Sequence, residues 1–397
     1  MLTVESALDQ ILARVSPLGA EHVELMASLG RVLAVPVVSH REIPPWPNSS
    51  MDGYAVRALD TSVGDGARGL HVVGLVAAGA VPERPVGPGE AVRIFTGAPL
   101  PAGADAVVPQ EDVAVDGDRI GLRSRVEPGA YVRPAGEDVR PGDRMLEPGA
   151  VIGPAEIGLL ATLGCSRVRV YRRPRVAILS TGTELADLGT EPGPGQIPNT
   201  NSYSLMAQVL EAGGEAFNLG VAADSLPVIE ERLRWAAADI LVSSAGVSVG
   251  EFDFVKEAFT KAGAELHLWQ VSMRPGKPIT FGSLEARPVF GLPGNPVSAM
   301  VTFELFVRPA LLKMAGRRVL TRPRVHARAL SDMPNPGSRR GYLRVKLRAD
   351  GTGWATELTG NQGSGVLSSM VHADGLAVVA PDSVVKPGDL VEVIVIR

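Results

Sequence analysis

The sequence holds a single cysteine, Cys165, in 397 residues, which excludes an intrachain disulfide framework and any structural zinc site built on several thiolates. A reducing cytoplasm fits that poverty. Long apolar runs are missing too: no stretch reaches the roughly 18 residues that a membrane span needs. Residues 1–15 carry Glu5 and Asp9 inside their apolar pattern, unlike a secretory leader. There is no excess of positive charge, with 39 Lys and Arg against 43 Asp and Glu and no basic block that would favour nucleic acid. A small anion held by local cations stays open. The six histidines show no metal-binding spacing, and the apolar share of 45% excludes a disordered or fibrous chain. What abounds is punctuation: 45 Gly and 32 Pro imply many turns and short strands. At about 150 residues per domain, the length suggests two to four domains.

Val4, Leu8, Ile11, Leu12 and Val15 recur at helical spacing, with Thr3 placed to cap the start. A second helix is expected over residues 154–163, opened by Pro154 and stopped by Gly164. Between them, short alternating stretches cut by Gly and Pro read as a β-rich insertion. From Arg175 the texture changes. Val176 to Leu179 is a buried-strand pattern, and strands near 216–219 and 240–244 alternate with helices near 202–211, 226–237 and 254–262, with a further helix after Pro296. That alternation predicts a three-layer α/β domain. Beyond Thr321, residues 342–347, 376–379 and 390–396 read as strands of a small all-β domain.

Chemistry-bearing residues gather in loops. Asp52-Gly53 reads as a sharp turn after the stiff lead of Pro44, Pro45 and Pro47. Thr96 stands in a Gly-Pro loop, and Asp138 is another loop acid. In the α/β domain, polar residues fall where strands should end, the edge at which open α/β sheets gather ligands. Ser180, Thr181 and Gly182 are suited to holding phosphate there, and Glu184 to giving a metal one oxygen. Asp224 follows the next strand, as a site acid or a helix cap. Gly246, Ser248 and Gly250 form a small-residue loop that admits an anion, with Asp253 at the following helix start; the pattern is neither a Rossmann fingerprint nor a P-loop. Arg274 and Lys277 are two cations braced by Pro275, Gly276 and Pro278. Gly294, Asn295 and Ser298 surround a helix start, with Asn295 expected as its cap and Pro296 as its first residue. Arg344 is expected on a strand and Ser364 in a polar loop of the last domain, while Cys165 reads as a packed thiol.

Ser-Met-Asp-Gly-Tyr-Ala at residues 50–55, Thr-Gly-Ala-Pro at 96–99, Ser-Thr-Gly-Thr-Glu-Leu at 180–185, Gly-Val-Ser-Val-Gly at 246–250 and Gly-Leu-Pro-Gly-Asn-Pro at 291–296 occur in one order. In that order the chain closely resembles the MoeA family of molybdopterin molybdenumtransferases, related to the gephyrin E domain, over essentially its whole length. The resemblance implies a multidomain α/β plus β protein with an elongated subunit and a homodimer. It divides the chain into a linker and dimerisation domain (residues 1–45 and 148–173), a β-rich insertion (46–147), a MogA/MoaB-like α/β domain that binds molybdopterin (174–319) and a C-terminal β domain (320–397). The implied reaction converts adenylylated molybdopterin and molybdate to molybdenum cofactor and AMP with Mg²⁺ in the cytoplasm. Asp52, Thr96, Asp138, Glu184, Asp224 and Asp253 match residues tied to activity, while Lys277, Arg344 and Ser364 match the oxyanion region. The resemblance also implies that the insertion of one subunit helps complete the other's cleft, through Asp52 and Thr96. Transient contacts with a MogA-type adenylyltransferase and with molybdoenzyme maturation proteins are further implied partners; nucleic acid and membrane are not. Arg274 stands where several relatives have Lys, and Thr183 where an acid often precedes the glutamate.

A tetrahedral dianion needs several donors and positive charges, for which Arg274, Lys277, Arg344, Ser364 and Ser298 are the candidates. A hard divalent ion prefers oxygen, which gives Glu184, Asp253 and Asp224 a purpose beside a phosphoryl group. One cysteine provides no pair of thiolates, so the soft sulfur ligands of molybdenum must come from the substrate's dithiolene. Two rival readings share these features: a MogA-like adenylyltransferase that makes the adenylylated intermediate, and a dimeric scaffold without catalysis.

Overall fold

The computed structural model describes residues 1–61, 69–222, 226–244, 254–351 and 353–397. They fall into two compact units, one formed by Pro36–Glu147 with Leu159–Cys165, the other by Met1–Val35, Pro148–Gly158 and Ser166–Arg397.

The smaller unit is built on a six-stranded sheet ordered Ala106–Pro109, Gly53–Val56, Glu90–Ile94, Leu70–Val76, Arg119–Leu122 and Val113–Asp116. Successive side chains leave a strand on opposite faces. Tyr54 and Val56 accordingly join one apolar cluster and Ala55 another. Gly53 opens a strand instead of serving the expected turn, and its small size has a physical reason: a Cβ there would lie 2.0 Å from the Val108 carbonyl oxygen.

In the larger unit the same alternation produces three layers. Val176 and Ile178 of the Arg175–Thr181 strand pack on one side, against the helices Val4–Leu12 and Thr200–Glu211 and the helical stretch over residues 296–314. Ala177 and Leu179 pack on the other, against Ile229, Ala258 and Phe259 of two further helices. The six-stranded sheet runs Glu215–Ala222, Arg175–Thr181, Ile240–Ser244, Arg287–Leu292, Pro278–Leu284 and Glu265–Gln270. Its first four strands are parallel, Pro278–Leu284 runs against them, and Glu265–Gln270 pairs antiparallel to Pro278–Leu284. The first helix starts as its sequence dictates, with Thr3 Oγ1 accepting from the Ser6 N–H at 3.2 Å.

The C-terminal strands Arg340–Ala349, Trp354–Leu358, Arg324–Ala329, Leu390–Val395 and Gly375–Val379 close into a barrel, because Gly375–Val379 also pairs with Arg340–Ala349. Leu343, Val345, Ala377, Val379 and Val393 fill it. The short strand Met273–Arg274 adds to the barrel edge in register with Arg340 and Gly341, fastening Arg274 beside the strand that carries Arg344. Among the described residues no helix is long and apolar enough to cross a membrane.

Candidate functional site

Ligands of open α/β sheets collect beyond the carboxyl ends of the parallel strands, where the strand order reverses. Here the order reverses between Arg175–Thr181 and Ile240–Ser244, and a cleft of ≈ 450 Å³ lies at that edge. Glu184, Asn201, Ser244, Gly294 and Asn295 supply its polar groups, while Leu185, Ile197, Pro278 and Pro293 supply apolar wall. Asn201 ties two of the loops together: its Nδ2 donates to Ser244 Oγ and to the Gly294 carbonyl, both at 2.7 Å. Glu184 is exposed and folds back over Gly182, where a Cβ would meet its carboxylate at 2.4 Å and φ is +144°.

A second pocket of ≈ 630 Å³ adjoins the cleft at Pro278 and is lined by Arg274, Lys277, Arg339, Arg344, Ser298 and Ser364. No Asp or Glu is among its described lining residues. Arg344 stands on the outer wall of the barrel and is 1% exposed. Burial, reinforced by the charge of Arg274, pushes its pKa down to about 10, so it stays cationic at neutral pH. Its Nε donates to Ser369 Oγ and its Nη2 to the Gly363 carbonyl, each at 3.1 Å. Arg274 and Arg339 are steadied by backbone carbonyls, those of Pro336 at 3.2 Å and Met273 at 3.3 Å. Gly276 between the two predicted cations has φ +99°, and a Cβ there would lie 2.5 Å from Thr302 Oγ1, so only glycine fits the segment. Four cations lining a polar cavity without a described acid have the chemistry that binding an oxyanion requires.

Asn295 departs from its expected capping role. It sits at the N-cap position of the helix Pro296–Thr302, yet its side chain makes no capping bond; its Nδ2 donates instead to Ser364 Oγ at 3.0 Å. The Val297 N–H that starts the helix is satisfied by the Ser364 carbonyl at 3.1 Å. A loop of the barrel thus does the capping, and Asn295 and Ser364 form the joint between cleft and pocket. Ser180 lies fully buried, its hydroxyl bonded to Asn199 Oδ1 at 3.0 Å and Ser202 Oγ at 2.8 Å, and Thr181 is 1% exposed. Both shape the cleft from behind and neither lines it.

In the smaller unit Asp52 and Thr96 meet: Asp52 Oδ1 accepts from the Thr96 N–H and from its hydroxyl, each at 2.8 Å. Those two donors hold the Asp52 carboxyl below the usual carboxylate range. Asp138 is exposed on its loop. Asp224, Gly246, Ser248, Gly250 and Asp253 lie outside the described residues. Among the described residues no three metal-ligating side chains cluster. Arg339, Asn199 and Asn201 are site residues that the sequence reading passed over. The Pro-Asn-Thr-Asn-Ser run at 198–202, polar side chains bracketing a helix start, was the available signal for the last two.

Residues 2–164 match the family model described as MoeA N-terminal region (domain I and II), residues 177–313 a probable molybdopterin binding domain and residues 326–396 the MoeA C-terminal region (domain IV). A protein of Nostoc sp. named molybdopterin molybdenumtransferase is 39% identical over 367 residues, covering 90% of this chain and 84% of the relative. One of the same name from Haemophilus influenzae is 38% identical over 337 residues, covering 84% and 82%. A crystal structure of a molybdopterin biosynthesis MoeA protein from Pyrococcus horikoshii covers 100% of this chain and 100% of its own, with a TM-score of 0.86 and 31% identity.

Proposed function

Since the chain belongs to the MoeA family of molybdopterin molybdenumtransferases, we propose that it inserts molybdenum from molybdate into adenylylated molybdopterin with release of AMP. The observation that carries this reading is Arg344: a buried cation in a pocket with Arg274, Lys277 and Arg339 and no described acid, next to a cleft at the ligand-binding edge of the sheet. In this reading molybdate occupies the basic pocket, where arginine forks and the Ser364 and Ser298 hydroxyls donate to its oxygens. The adenylylated pterin occupies the cleft, its rings against Leu185, Ile197 and the prolines and its phosphates toward Gly294, Asn295 and Glu184. The chain's work is to bring two anions together in one orientation and to offset their charge. The product's sulfur ligands are the substrate's own.

Mg²⁺ belongs to the same proposal. The Glu184 carboxylate reaches the cleft and has no described hydrogen-bond donor, which suits a hard cation bound by one or two carboxylates together with substrate phosphates. Glu184 would hold it, with Asp224 and Asp253 as the further expected ligands. Bound there, the ion supplies charge neutralisation at the phosphoryl oxygens. We likewise assign Asp52, Thr96 and Asp138 to the reaction, the homodimer to the working assembly and the cytoplasm to its setting, which the single cysteine supports. The division at residues 1–45 with 148–173, 46–147, 174–319 and 320–397 is supported at its last two segments by the separate family matches.

The decisive assay mixes purified protein with adenylylated molybdopterin, Mg²⁺ and molybdate. AMP release that depends on molybdate is expected. No AMP release there, with pyrophosphate released in a parallel mixture of ATP, Mg²⁺ and molybdopterin, would point to an adenylyltransferase, and no turnover in either mixture to a scaffold; either result rejects the proposal.

A further inference from the structure

We propose that Gln362 and Ser369 are positioning residues that set the Arg344 guanidinium for oxyanion binding, an inference that rests on the reading of the basic pocket above. The strand Arg340–Ala349 is paired on one side by Gly375–Val379, across residues 341–345. On the other side the ladder with Trp354–Leu358 reaches only as far as Val345, the residue after Arg344, and so stops one residue short of it. There the Gln362 amide takes the place of a missing peptide group. Its Oε1 accepts from the Arg344 N–H at 2.8 Å, and its Nε2 donates to the Arg344 carbonyl at 3.1 Å. Thr359 adds its own N–H to that carbonyl at 3.0 Å. The backbone of Arg344 is therefore pinned on both groups where the sheet alone would leave its N–H without a partner.

The side chain is held by a different rule. Ser369, 2% exposed, accepts from Arg344 Nε at 3.1 Å, while its own hydroxyl donates to the Val366 carbonyl at 2.6 Å. With the Gly363 carbonyl on Nη2, two of the five guanidinium N–H groups are engaged and Nη1 keeps both of its own. Both holders are uncharged. A carboxylate at either place would fix the geometry equally well and cancel the charge; a hydroxyl and a carbonyl fix the geometry and leave the charge for the ligand. Ser369 does not line the pocket, so its effect on a ligand passes through Arg344.

The test is calorimetric titration of molybdate into the full chain without pterin, alongside the AMP-release assay and thermal unfolding. Gln362→Leu and Ser369→Ala should each weaken molybdate binding about tenfold, with KM for adenylylated molybdopterin unchanged within about twofold. Ser369→Thr, which keeps the hydroxyl, should restore binding. Wild-type molybdate affinity in both variants, or an equal loss for both substrates, overturns the assignment. Should Gln362→Leu fail to fold, the Ser369→Ala and Ser369→Thr pair decides by the same criteria. If the wild type released no AMP, the transferase reading would fall while the titrations still judged the positioning of Arg344.

Discussion

Replacing Arg344 by methionine should uncouple stability from oxyanion binding. The side chain is 1% exposed, and burial together with the Arg274 charge lowers its pKa to about 10. Keeping it charged at neutral pH therefore disfavours the folded state by about 3 kcal/mol. Its hydrogen bonds to Ser369 and Gly363 offset that by roughly 1.5 kcal/mol each. Methionine removes both contributions and fills much of the same space, so the variant should unfold within about 1–2 kcal/mol of the wild type. Binding responds differently: losing two charge-assisted hydrogen bonds to the anion should cost about 3 kcal/mol, on the order of a hundredfold in Kd. Thermal unfolding and molybdate calorimetry on the same preparation read both quantities. Linkage adds a signature. The folded pKa of this base is depressed, so the charge penalty is fully present below about pH 10 and is relieved as pH rises further, in the wild type only. A variant that melts many degrees lower and binds molybdate normally would show Arg344 to be a structural strut and refute the reasoning.

Three further outcomes are expected. Thr96→Val removes one of the two donors that lower the Asp52 pKa, so that pKa should rise toward the ordinary carboxyl value in a carboxyl-carbon NMR titration. Stability contributed by Asp52 is present above the ordinary value and lost as pH falls through the lowered one, so the variant should lose it at higher pH; an unmoved titration would remove Thr96 as the cause. Gly276→Ala forces a Cβ to within 2.5 Å of Thr302 Oγ1 at φ +99° and should cost about 1–3 kcal/mol. Molybdate binding should weaken with it, since Arg274 and Lys277 flank the glycine; normal melting and binding together would show the segment to be pliable. Glu184→Gln should raise the Mg²⁺ concentration for half-maximal AMP release about tenfold or more without altering molybdate affinity, whereas an unchanged Mg²⁺ requirement would take Glu184 out of the ion's site.

The parts of this molecule that could be read in advance are those set by local chemistry. Val176 to Leu179 is apolar at every position because the strand is covered on both faces, and that pattern survives in one dimension. Thr3 caps the first helix through a bond three residues away. What stayed hidden depends on partners distant in sequence. Asn295 has the composition of a cap, but Ser364, from the barrel, supplies the capping carbonyl and takes the amide for itself. The hairpin of Pro278–Leu284 and Arg287–Leu292 turns at Glu285 and Ala286, both with positive φ and neither a residue that signals it. Arg339 and Arg340 look alike on paper; only the fold sends the first to the basic pocket and ties the second to Glu5 of the N-terminal helix. Ser180 sits in a motif that suggests phosphate contact, yet Asn199 and Ser202 enclose its hydroxyl.

The claim on which everything rests is that a tetrahedral metal oxyanion sits among Arg344, Arg274, Lys277 and Ser364. Diffraction from crystals soaked in molybdate, recorded across the molybdenum absorption edge, tests it most directly. The account predicts one strong anomalous peak within hydrogen-bond reach of Arg344 Nη1. A peak elsewhere on the chain, with that pocket holding only water at saturating molybdate, would contradict it.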